Sequence, residues 1–325
     1  MYFVNLQYLR AFAAALVAVF HICLFLPDRS FEVGAYGVDI FFVISGFVMY
    51  HSGIKLGPGE FMVHRISRIV PLYWMAIFVF IAIDGNTALT TEEVLKSLLF
   101  VAYENPGALP PVSPIISVGW TLNLEMFFYV LFALGLAISR QHLVLGLTTL
   151  FVFLAVMGKL IHGLDPVMGF YTKGILLEFA AGLIVAKVMN DLQSKLNPLF
   201  GLVLCCASFL ALYLLQDSGL RIVRWGVPAC LIVVGMLALE PVLSRYKSPF
   251  LILLGDASYA LYLSHLMLIA PAIAALSLVL SPDNGLMIVA VFILCQVAAV
   301  GIYILYEKPI YRKLKSMRQR QVARH

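Results

Sequence analysis

The sequence predicts an all-α, polytopic integral membrane protein, on two observations. Of its 325 residues, 62% are hydrophobic and only 12% are charged, with a mean hydropathy of +0.98. This apolar content is far above that of a soluble domain. The apolar residues also occur in runs long enough to cross about 30 Å of hydrocarbon as helices.

Ten such runs are predicted to be membrane-spanning helices. They lie near residues 6–26, 35–51, 69–84, 119–138, 143–162, 171–189, 198–216, 222–240, 250–274 and 286–306. The first run resembles a signal peptide in position. However, its first nine residues contain no Lys or Arg and nine further runs follow, so we expect it to be retained.

The positions of Lys and Arg predict that both termini are cytoplasmic. With a cytoplasmic N-terminus, the inner side receives Lys55, Arg65, Arg68, Arg140, Lys187, Lys195, Arg245, Lys247, Lys308, Arg312, Lys313, Lys315, Arg318, Arg320 and Arg324. The outer side receives only Arg29, Lys96, Lys159, Lys173, Arg221 and Arg224. This is a strong positive-inside bias. Residues 1–310 are predicted to form the transmembrane domain, and residues 311–325 a basic cytoplasmic tail that contacts membrane lipid rather than nucleic acid.

The segment from Thr90 to Tyr103 lies in the one long outer loop, residues 85–118. Thr90 followed by Glu93 is typical of a capping box, but the helix it opens is only about a dozen residues long, too short to span the bilayer. We predict an interfacial or re-entrant helix. The following prolines, Pro106, Pro110, Pro111 and Pro114, indicate either a fixed lid or acceptor platform, or a plain connector.

Arg10 and His21 lie within the first predicted helix, with ten residues between them. At about 100° per residue, this offset comes to three full turns plus about 20°, so both side chains project from one face, about 16 Å apart along the axis. Ionisable side chains are costly inside a bilayer, and this face is therefore predicted to line a functional pathway. The alternative is that Arg10 snorkels to the cytoplasmic surface while His21 hydrogen-bonds to a neighbouring helix.

Other ionisable residues fall at two depths when the predicted topology is applied. His21, Asp39 and Glu125 lie in the outer third of the bilayer, and His265 lies somewhat deeper. A buried imidazole beside a carboxylate takes a proton from a hydroxyl, since the carboxylate orients the ring and stabilises the imidazolium. At the inner side, Arg65 and Arg68 are one turn apart near the end of the helix face that carries Arg10. Such a cationic mouth suits a polyphosphate donor.

Motifs distributed along nearly the whole chain resemble those of the acyltransferase-3 membrane family. They are Arg10 with His21, the run Gly37-Val38-Asp39-Ile40-Phe41-Phe42-Val43-Ile44-Ser45-Gly46-Phe47, the run Arg65-Ile66-Ser67-Arg68-Ile69-Val70-Pro71-Leu72-Tyr73, the run Trp120-Thr121-Leu122-Asn123-Leu124-Glu125-Met126-Phe127-Phe128-Tyr129, the run Gly255-Asp256-Ala257-Ser258-Tyr259-Ala260-Leu261-Tyr262-Leu263-Ser264-His265, and Glu307-Lys308-Pro309. Within the family, the chain is most similar to bacterial exopolysaccharide-production acyltransferases.

The resemblance implies transfer of an acyl group, most often acetyl, from cytoplasmic acyl-CoA to a glycan hydroxyl beyond the bacterial inner membrane. It implies that His21 is the catalytic base and Glu125 its acidic partner. The donor-binding residues would be Arg10, Arg65, Arg68 and Tyr73. Supporting or acceptor-side residues would be Asp39, Ser45, Trp120, Asn123, Ser258, Tyr259 and His265. No metal and no permanently bound cofactor are expected. The expected partners are acyl-CoA, the glycan acceptor, membrane lipid and polysaccharide-assembly proteins.

Each assignment has a structural alternative. Asp39 could cap its helix or pair with Arg29. Glu125 could pair with a cation for packing only, and Arg65 and Arg68 could be ordinary positive-inside anchors. Trp120 could be an aromatic-belt residue, and His265 a structural hydrogen-bonding residue. For the whole chain, the alternatives are a secondary transporter, although no internal repeat is visible, or a non-catalytic polysaccharide-export partner.

Overall fold

The computed structural model of the protein describes residues 3–85, 89–192 and 196–322. These residues form fourteen α-helices and, beyond one isolated bridge between Glu104 and Val112, no β-structure. The helices are α1 (Val4–Leu24), α2 (Tyr36–Gly53), α3 (Pro58–Asp84), α4 (Thr91–Leu98), α5 (Trp120–Ile138), α6 (Leu143–Leu160), α7 (Pro166–Tyr171), α8 (Leu176–Leu192), α9 (Pro198–Leu214), α10 (Val227–Leu243), α11 (Pro249–Asp256), α12 (Ser258–Leu276), α13 (Gly285–Ile302) and α14 (Lys308–Val322).

The all-α, polytopic membrane class is confirmed. Eight helical segments of the described chain are long and apolar enough to cross a membrane; they contain α1, α2, α3, α5, α6, α10, α12 and α13. The other two predicted spans correspond to α8 and α9, which have 17 residues each. The count of ten spans and the cytoplasmic termini stay predictions. We call the end of the bundle that holds the start of α1 the inner end, following the predicted orientation.

Two predicted helix boundaries differ from the structure. Helix α3 begins at Pro58 rather than near residue 69, because Gly57 and Pro58 form a helix start with proline in the first turn. Arg65 and Arg68 therefore lie inside this helix rather than before it. The run 250–274 is broken at Ala257 into α11 and α12. A side chain at Gly255 would overlap with the carbonyl group of Gln7, so α11 packs directly against the backbone of α1.

The predicted short helix in the long outer loop is α4, and its capping box is confirmed. The Glu93 N–H donates to Thr90 Oγ1 at 3.2 Å, and the Thr90 N–H donates to Glu93 Oε2 at 2.8 Å. The loop that follows is fastened to this helix by Ser97, which is fully buried. Its hydroxyl accepts from the Ile115 N–H at 3.1 Å and lies 3.0 Å from the Tyr103 hydroxyl.

The start of α1 is anchored by a carboxylate from α10. The Val4 and Asn5 N–H groups each donate to Glu240 at 2.9 Å. These first N–H groups of a helix have no partner within the helix, and they carry the positive end of its dipole. The Asn5 side chain also donates to the Met236 carbonyl at 2.7 Å. The axial position of α1 is thus fixed relative to α10.

Helix α2 is packed closely between its neighbours because glycines stand at the crossings. A Cβ on Gly37 would overlap with the Ala13 carbonyl of α1. A Cβ on Gly46 would overlap with the Phe179 carbonyl of α8, and the Cα of the facing Gly182 lies 3.0 Å from that position. Backbones approach this closely only where both surfaces lack side chains. The crossings fix the positions of the polar residues of α2, Asp39 and Ser45.

Asp39 belongs to a buried ionic cluster. Arg221, just before α10, donates to Asp39 Oδ1 at 2.7 Å, and its Nε lies 3.7 Å from Glu178 Oε1 on α8. Asp39 is 1% exposed and Glu178 0% exposed. The two sequence-based alternatives for Asp39 are therefore wrong: it makes no capping hydrogen bond, and Arg29 instead donates to the Asp283 carbonyl. The cluster joins α2, α8 and the segment before α10.

Removing the cation of this cluster is expected to destabilise the bundle. Arg221→Gln leaves two buried carboxylates without their counter-ion, and since the Arg221 side chain is 40% exposed we expect a loss of about 3 kcal/mol, the lower end for a broken buried pair. Thermal unfolding of the purified protein in detergent measures the loss. Adding Glu178→Gln is expected to restore part of it.

The matched control for this variant is Arg224→Gln. Arg224 pairs at 3.6 Å with Glu32, which is 74% exposed, and such a surface pair contributes about 1 kcal/mol or less. Equal losses for Arg221→Gln and Arg224→Gln would contradict a stabilising role for the buried cluster.

Candidate active site

A cavity of about 150 Å³ lies inside the bundle between α1, α2, α3, α5 and α12. Its lining is formed by Arg10, Val38, Phe41, Phe42, Ile44, Ser45, Val48, Met49, Arg65, Arg68, Ile69, Thr121, Leu122, Glu125, Tyr129, Ser258, Tyr259 and Tyr262. Eight of these side chains are aliphatic, methionine or phenylalanine, and the charged and hydroxyl groups of the others converge on one space. Such a composition is typical of a small-molecule site.

The inner part of the cavity is cationic. Arg10 of α1 meets Arg65 and Arg68 of α3, which the i, i+3 spacing places on one helix face. The Arg65 guanidinium donates to Ser52 Oγ at 2.6 Å and stands 5.8 Å from the ring centroid of Tyr129. Three guanidinium groups share this lining with one carboxylate, so the cavity has an excess of positive charge. The sequence-based expectation that these arginines lie together is met.

Glu125 provides the carboxylate of the cavity. Its Oε1 accepts hydrogen bonds from Ser45 Oγ of α2 at 2.8 Å and from the Tyr129 hydroxyl one turn along α5 at 2.5 Å. Both bonds use the same oxygen, so Oε2 can accept a donor from a bound molecule. Ser45 and Glu125 were both predicted site residues, and the structure brings them into contact.

His21 contacts a second histidine. His21 Nδ1 lies 2.9 Å from the Val17 carbonyl, His265 Nδ1 lies 2.9 Å from the Leu261 carbonyl, and His265 Nε2 lies 3.1 Å from His21 Nδ1. A carbonyl oxygen only accepts, so each Nδ1 carries a proton. His265 Nε2 is then an acceptor for the His21 Nδ1–H. In this neutral pair, His21 Nε2 keeps its lone pair.

The predicted contact between His21 and Glu125 is not formed, although both residues are described. His21 faces α12, where His265 is fully buried, whereas Glu125 faces α2 and Tyr129. Depth along two helices could be estimated from the sequence, but the direction of each side chain could not. The His21 ring is oriented instead by the Val17 carbonyl and by His265.

Tyr262 connects the histidine pair with the cavity. It lines the cavity, and its ring centroid lies 6.1 Å from that of His265 one turn along α12. Its hydroxyl donates to the Val118 carbonyl at 2.9 Å and lies 2.7 Å from Thr121 Oγ1. These contacts place the histidines beside the outer part of the cavity, opposite the arginines.

The remaining predicted residues divide into two groups. Ser258 and Tyr259 line the cavity, and the Tyr259 hydroxyl donates to the Ile69 carbonyl at 2.9 Å. Trp120 and Asn123 do not line it. The Trp120 ring centroid lies 5.4 Å from the Lys173 ammonium. Asn123 is 1% exposed, and its side chain has no hydrogen-bond partner among the described residues.

Tyr73 does not lie with the arginines. It is fully buried, its ring stacks on Phe100 of the long loop at 4.6 Å, and its hydroxyl packs against Gly119. Tyr73 is five residues beyond Arg68, so it points about 140° away around α3. The motif that ends at Tyr73 therefore has residues on two faces of α3. Arg65 and Arg68 line the cavity, and Tyr73 packs against the long loop.

Sequence reasoning missed five polar residues of these clusters: Tyr129, Thr121, Tyr262, Glu178 and Arg221. The first three stand inside the quoted motifs, where the i+4 spacing of Glu125 and Tyr129 was an available signal. Glu178 and Arg221 stand outside those motifs, and their pairing depends on tertiary contacts.

Comparison with known proteins identifies the family. The model of the acyltransferase-3 family, an acyltransferase domain, matches residues 3–307. The chain is 35% identical over 300 residues to the exopolysaccharide production protein ExoZ of Rhizobium meliloti (strain 1021), covering 89% of this chain and 93% of that protein. No solved structure matches the chain.

Two more distant relatives are named as O-acetyltransferases. The chain is 27% identical over 231 residues to the putative peptidoglycan O-acetyltransferase YrhL of Bacillus subtilis (strain 168), which covers 61% of this chain and 35% of that protein. It is 26% identical over 155 residues to the O-acetyltransferase OatA of Staphylococcus aureus (strain NCTC 8325 / PS 47), which covers 41% and 24%. With a family match over nearly its whole length, the protein belongs to the acyltransferase-3 family and is a multi-pass membrane acyltransferase.

Proposed function

We propose that the protein transfers an acetyl group from acetyl-CoA to a hydroxyl of a lipid-linked or extracytoplasmic glycan in the bacterial inner membrane. The observation that carries this proposal is one cavity with arginines at its inner part and a histidine pair beside its outer part. The names of the relatives support the acceptor class, since they include an exopolysaccharide production protein and O-acetyltransferases. Polysaccharide-assembly proteins are the expected partners.

The arginines fit a donor with phosphate groups. Arg10, Arg65 and Arg68 present guanidinium forks, which bind phosphate oxygens in pairs. The separation of Arg10 and His21 along α1 is about 16 Å, which is of the order of an extended pantetheine arm. In the proposed complex the pyrophosphate remains at the arginines while the thioester reaches His21.

His21 Nε2 performs the acyl transfer in one of two ways. As a general base, it takes the proton of the sugar hydroxyl, the oxygen attacks the thioester carbonyl, and the C–S bond breaks; the proton then passes to the departing thiolate. As a nucleophile, Nε2 itself attacks the carbonyl, the C–S bond breaks and the thiolate leaves. The sugar hydroxyl then attacks the acyl carbonyl, its proton passes to the thiolate, and the bond from the acyl carbon to Nε2 breaks to return the neutral imidazole. In both, His265 Nε2 accepts from His21 Nδ1 and stabilises the cationic ring.

Glu125 has a positioning role in this proposal. Its carboxylate offsets part of the arginine charge, and Oε2 can accept an amide N–H of the pantetheine arm. This would hold the arm straight between the arginines and His21.

The first test is acyl transfer by the full-length protein in nanodiscs. We expect label to move from radiolabelled acetyl-CoA to a glycan of the host, and His21→Ala to reduce transfer at least about 100-fold, the usual contribution of a general base. Wild-type protein that neither binds acetyl-CoA nor releases CoA would contradict the proposal and favour a transporter.

Replacing the partner of His21 tests the tautomer assignment. His265→Leu removes one of the two acceptors of His21 Nδ1–H and leaves the Val17 carbonyl. We expect kcat to fall about 10-fold, of the order of one lost hydrogen bond to a charged group, with an unchanged KM for acetyl-CoA. His265→Gln is expected to recover part of the rate, because its amide oxygen can accept the same proton. The matched control is His162→Leu, an exposed loop position. A rise in KM together with the fall in kcat, with no recovery by Gln, would point to a packing role only.

Glu125→Gln tests the positioning role of the carboxylate. The amide keeps the size and can still accept from Ser45 and Tyr129, but the negative charge is lost. The amide nitrogen that replaces Oε2 donates and cannot accept from the pantetheine arm, while the lost negative charge makes the cavity more cationic. We expect these two effects on acetyl-CoA binding to offset one another, so that the dissociation constant measured by calorimetry changes by less than about 10-fold while kcat falls by at least about 10-fold. An unchanged kcat would contradict the assignment.

A further inference from the structure

A second cavity, of about 430 Å³, lies at the inner end of the bundle beside the first. It is lined by Arg68, Asp256, Tyr303, Glu307, Lys308, Tyr311, Arg312 and Lys315. Arg68 also lines the first cavity, so the two spaces meet at this side chain. The proposed reaction assigns no task to the other residues of the second cavity.

One face of α14 forms a wall of this cavity. Lys308, Tyr311, Arg312 and Lys315 stand three and four residues apart, which places them on a single helical stripe. Lys313, between them in sequence, does not line the cavity, whereas Arg312 and Lys315 line it although all three are exposed. The sequence predicted a membrane-contacting tail from residue 311, a boundary that now falls inside α14. The stripe lines the cavity and is open to solvent on its other side, and the membrane contact of the tail stays a prediction.

The opposite wall comes from α11 and from the π-helical turn Tyr303–Glu307, which joins α13 to α14. The Tyr303 hydroxyl donates to Asp256 Oδ2 at 3.3 Å, and the Lys308 ammonium lies 5.7 Å from the Tyr303 ring centroid. The cavity thus combines four cations, two carboxylates and two tyrosine rings. Within the described residues, none of the four cations forms a salt bridge, so they are available to an anion.

This combination fits a nucleotide better than a lipid headgroup. Cations suit the phosphates of either ligand. Tyrosine rings, however, offer faces on which a base stacks, and carboxylates accept hydrogen bonds from ribose hydroxyls or an exocyclic amine. A phospholipid headgroup needs neither feature.

We propose that the second cavity binds the nucleotide end of acyl-CoA. The pyrophosphate lies at Arg68, the 3′-phosphate contacts Lys308, Arg312 and Lys315, and the adenine lies beside the tyrosines. The pantetheine arm then passes Arg68 into the first cavity. This assignment rests on the proposed function, because it takes acyl-CoA to be the donor.

A pair of lysine variants on α14 tests the assignment. Lys315→Gln and Lys313→Gln remove the same group from positions two residues apart, but only Lys315 lines the cavity. In full-length protein in phosphatidylcholine nanodiscs, we expect the dissociation constant of acetyl-CoA to rise about 10-fold in Lys315→Gln, of the order of one lost charged contact, and to stay unchanged in Lys313→Gln. Acetyl-pantetheine, which lacks the nucleotide, is expected to bind both variants equally well.

The other outcomes separate this inference from the proposed function. Wild-type protein that binds neither acetyl-CoA nor acetyl-pantetheine would overturn the proposed donor. Acetyl-CoA binding that is equal in the two lysine variants would overturn only the nucleotide site. If Lys315→Gln weakened acetyl-CoA binding only in nanodiscs that contain phosphatidylglycerol, the stripe would be a lipid site. If Lys315→Gln weakened the binding of acetyl-pantetheine as much as that of acetyl-CoA, the substitution would have changed the shape of the protein generally.

Discussion

The cost of an ionised group in hydrocarbon is the constraint on which this structure depends. A charge that faces lipid is expensive, so charges within spans face a partner or a cavity. Asp39 and Glu178 meet this condition through Arg221. Arg10, Arg65 and Arg68 meet it by lining a cavity with Glu125. The bundle therefore has one cluster in which two carboxylates share one arginine. In the other, three arginines outnumber one carboxylate, and positive charge is left for a ligand.

Close helix crossings allow these two clusters to stand side by side on α2. Asp39 and Ser45 are six residues apart on this helix, and they serve the ionic cluster and the cavity respectively. Gly37, Gly46 and Gly182 bring the backbones together, so small shifts of α2 are excluded by direct contact. The geometry of the arginine cavity is thus held by contacts that lie outside it.

The sequence was sufficient for the class, for the approximate positions of most long helices and for the capping box at Thr90, because these follow from local hydropathy and spacing. It also brought the three arginines together, but it placed Glu125 with His21 in the outer third of the bilayer, whereas Glu125 lines one cavity with the arginines. It failed for the partners of His21 and Asp39. A partner depends on which way a side chain points around its helix and on which helix lies there, and His265 and Arg221 are 244 and 182 residues away in sequence.

The anchoring of α1 has a consequence for donor choice. Glu240 fixes the start of this helix, and a single helix sets the distance from Arg10 to His21. In the proposed complex, this fixed distance selects for the length of the pantetheine arm. It does not depend on the size of the acyl group, which extends from the thioester away from the arm. A carrier with a shorter arm cannot present its thioester to His21. Discrimination between acetyl and a larger acyl group therefore depends on the space that the side chains near Tyr262 and the histidine pair leave for the acyl group.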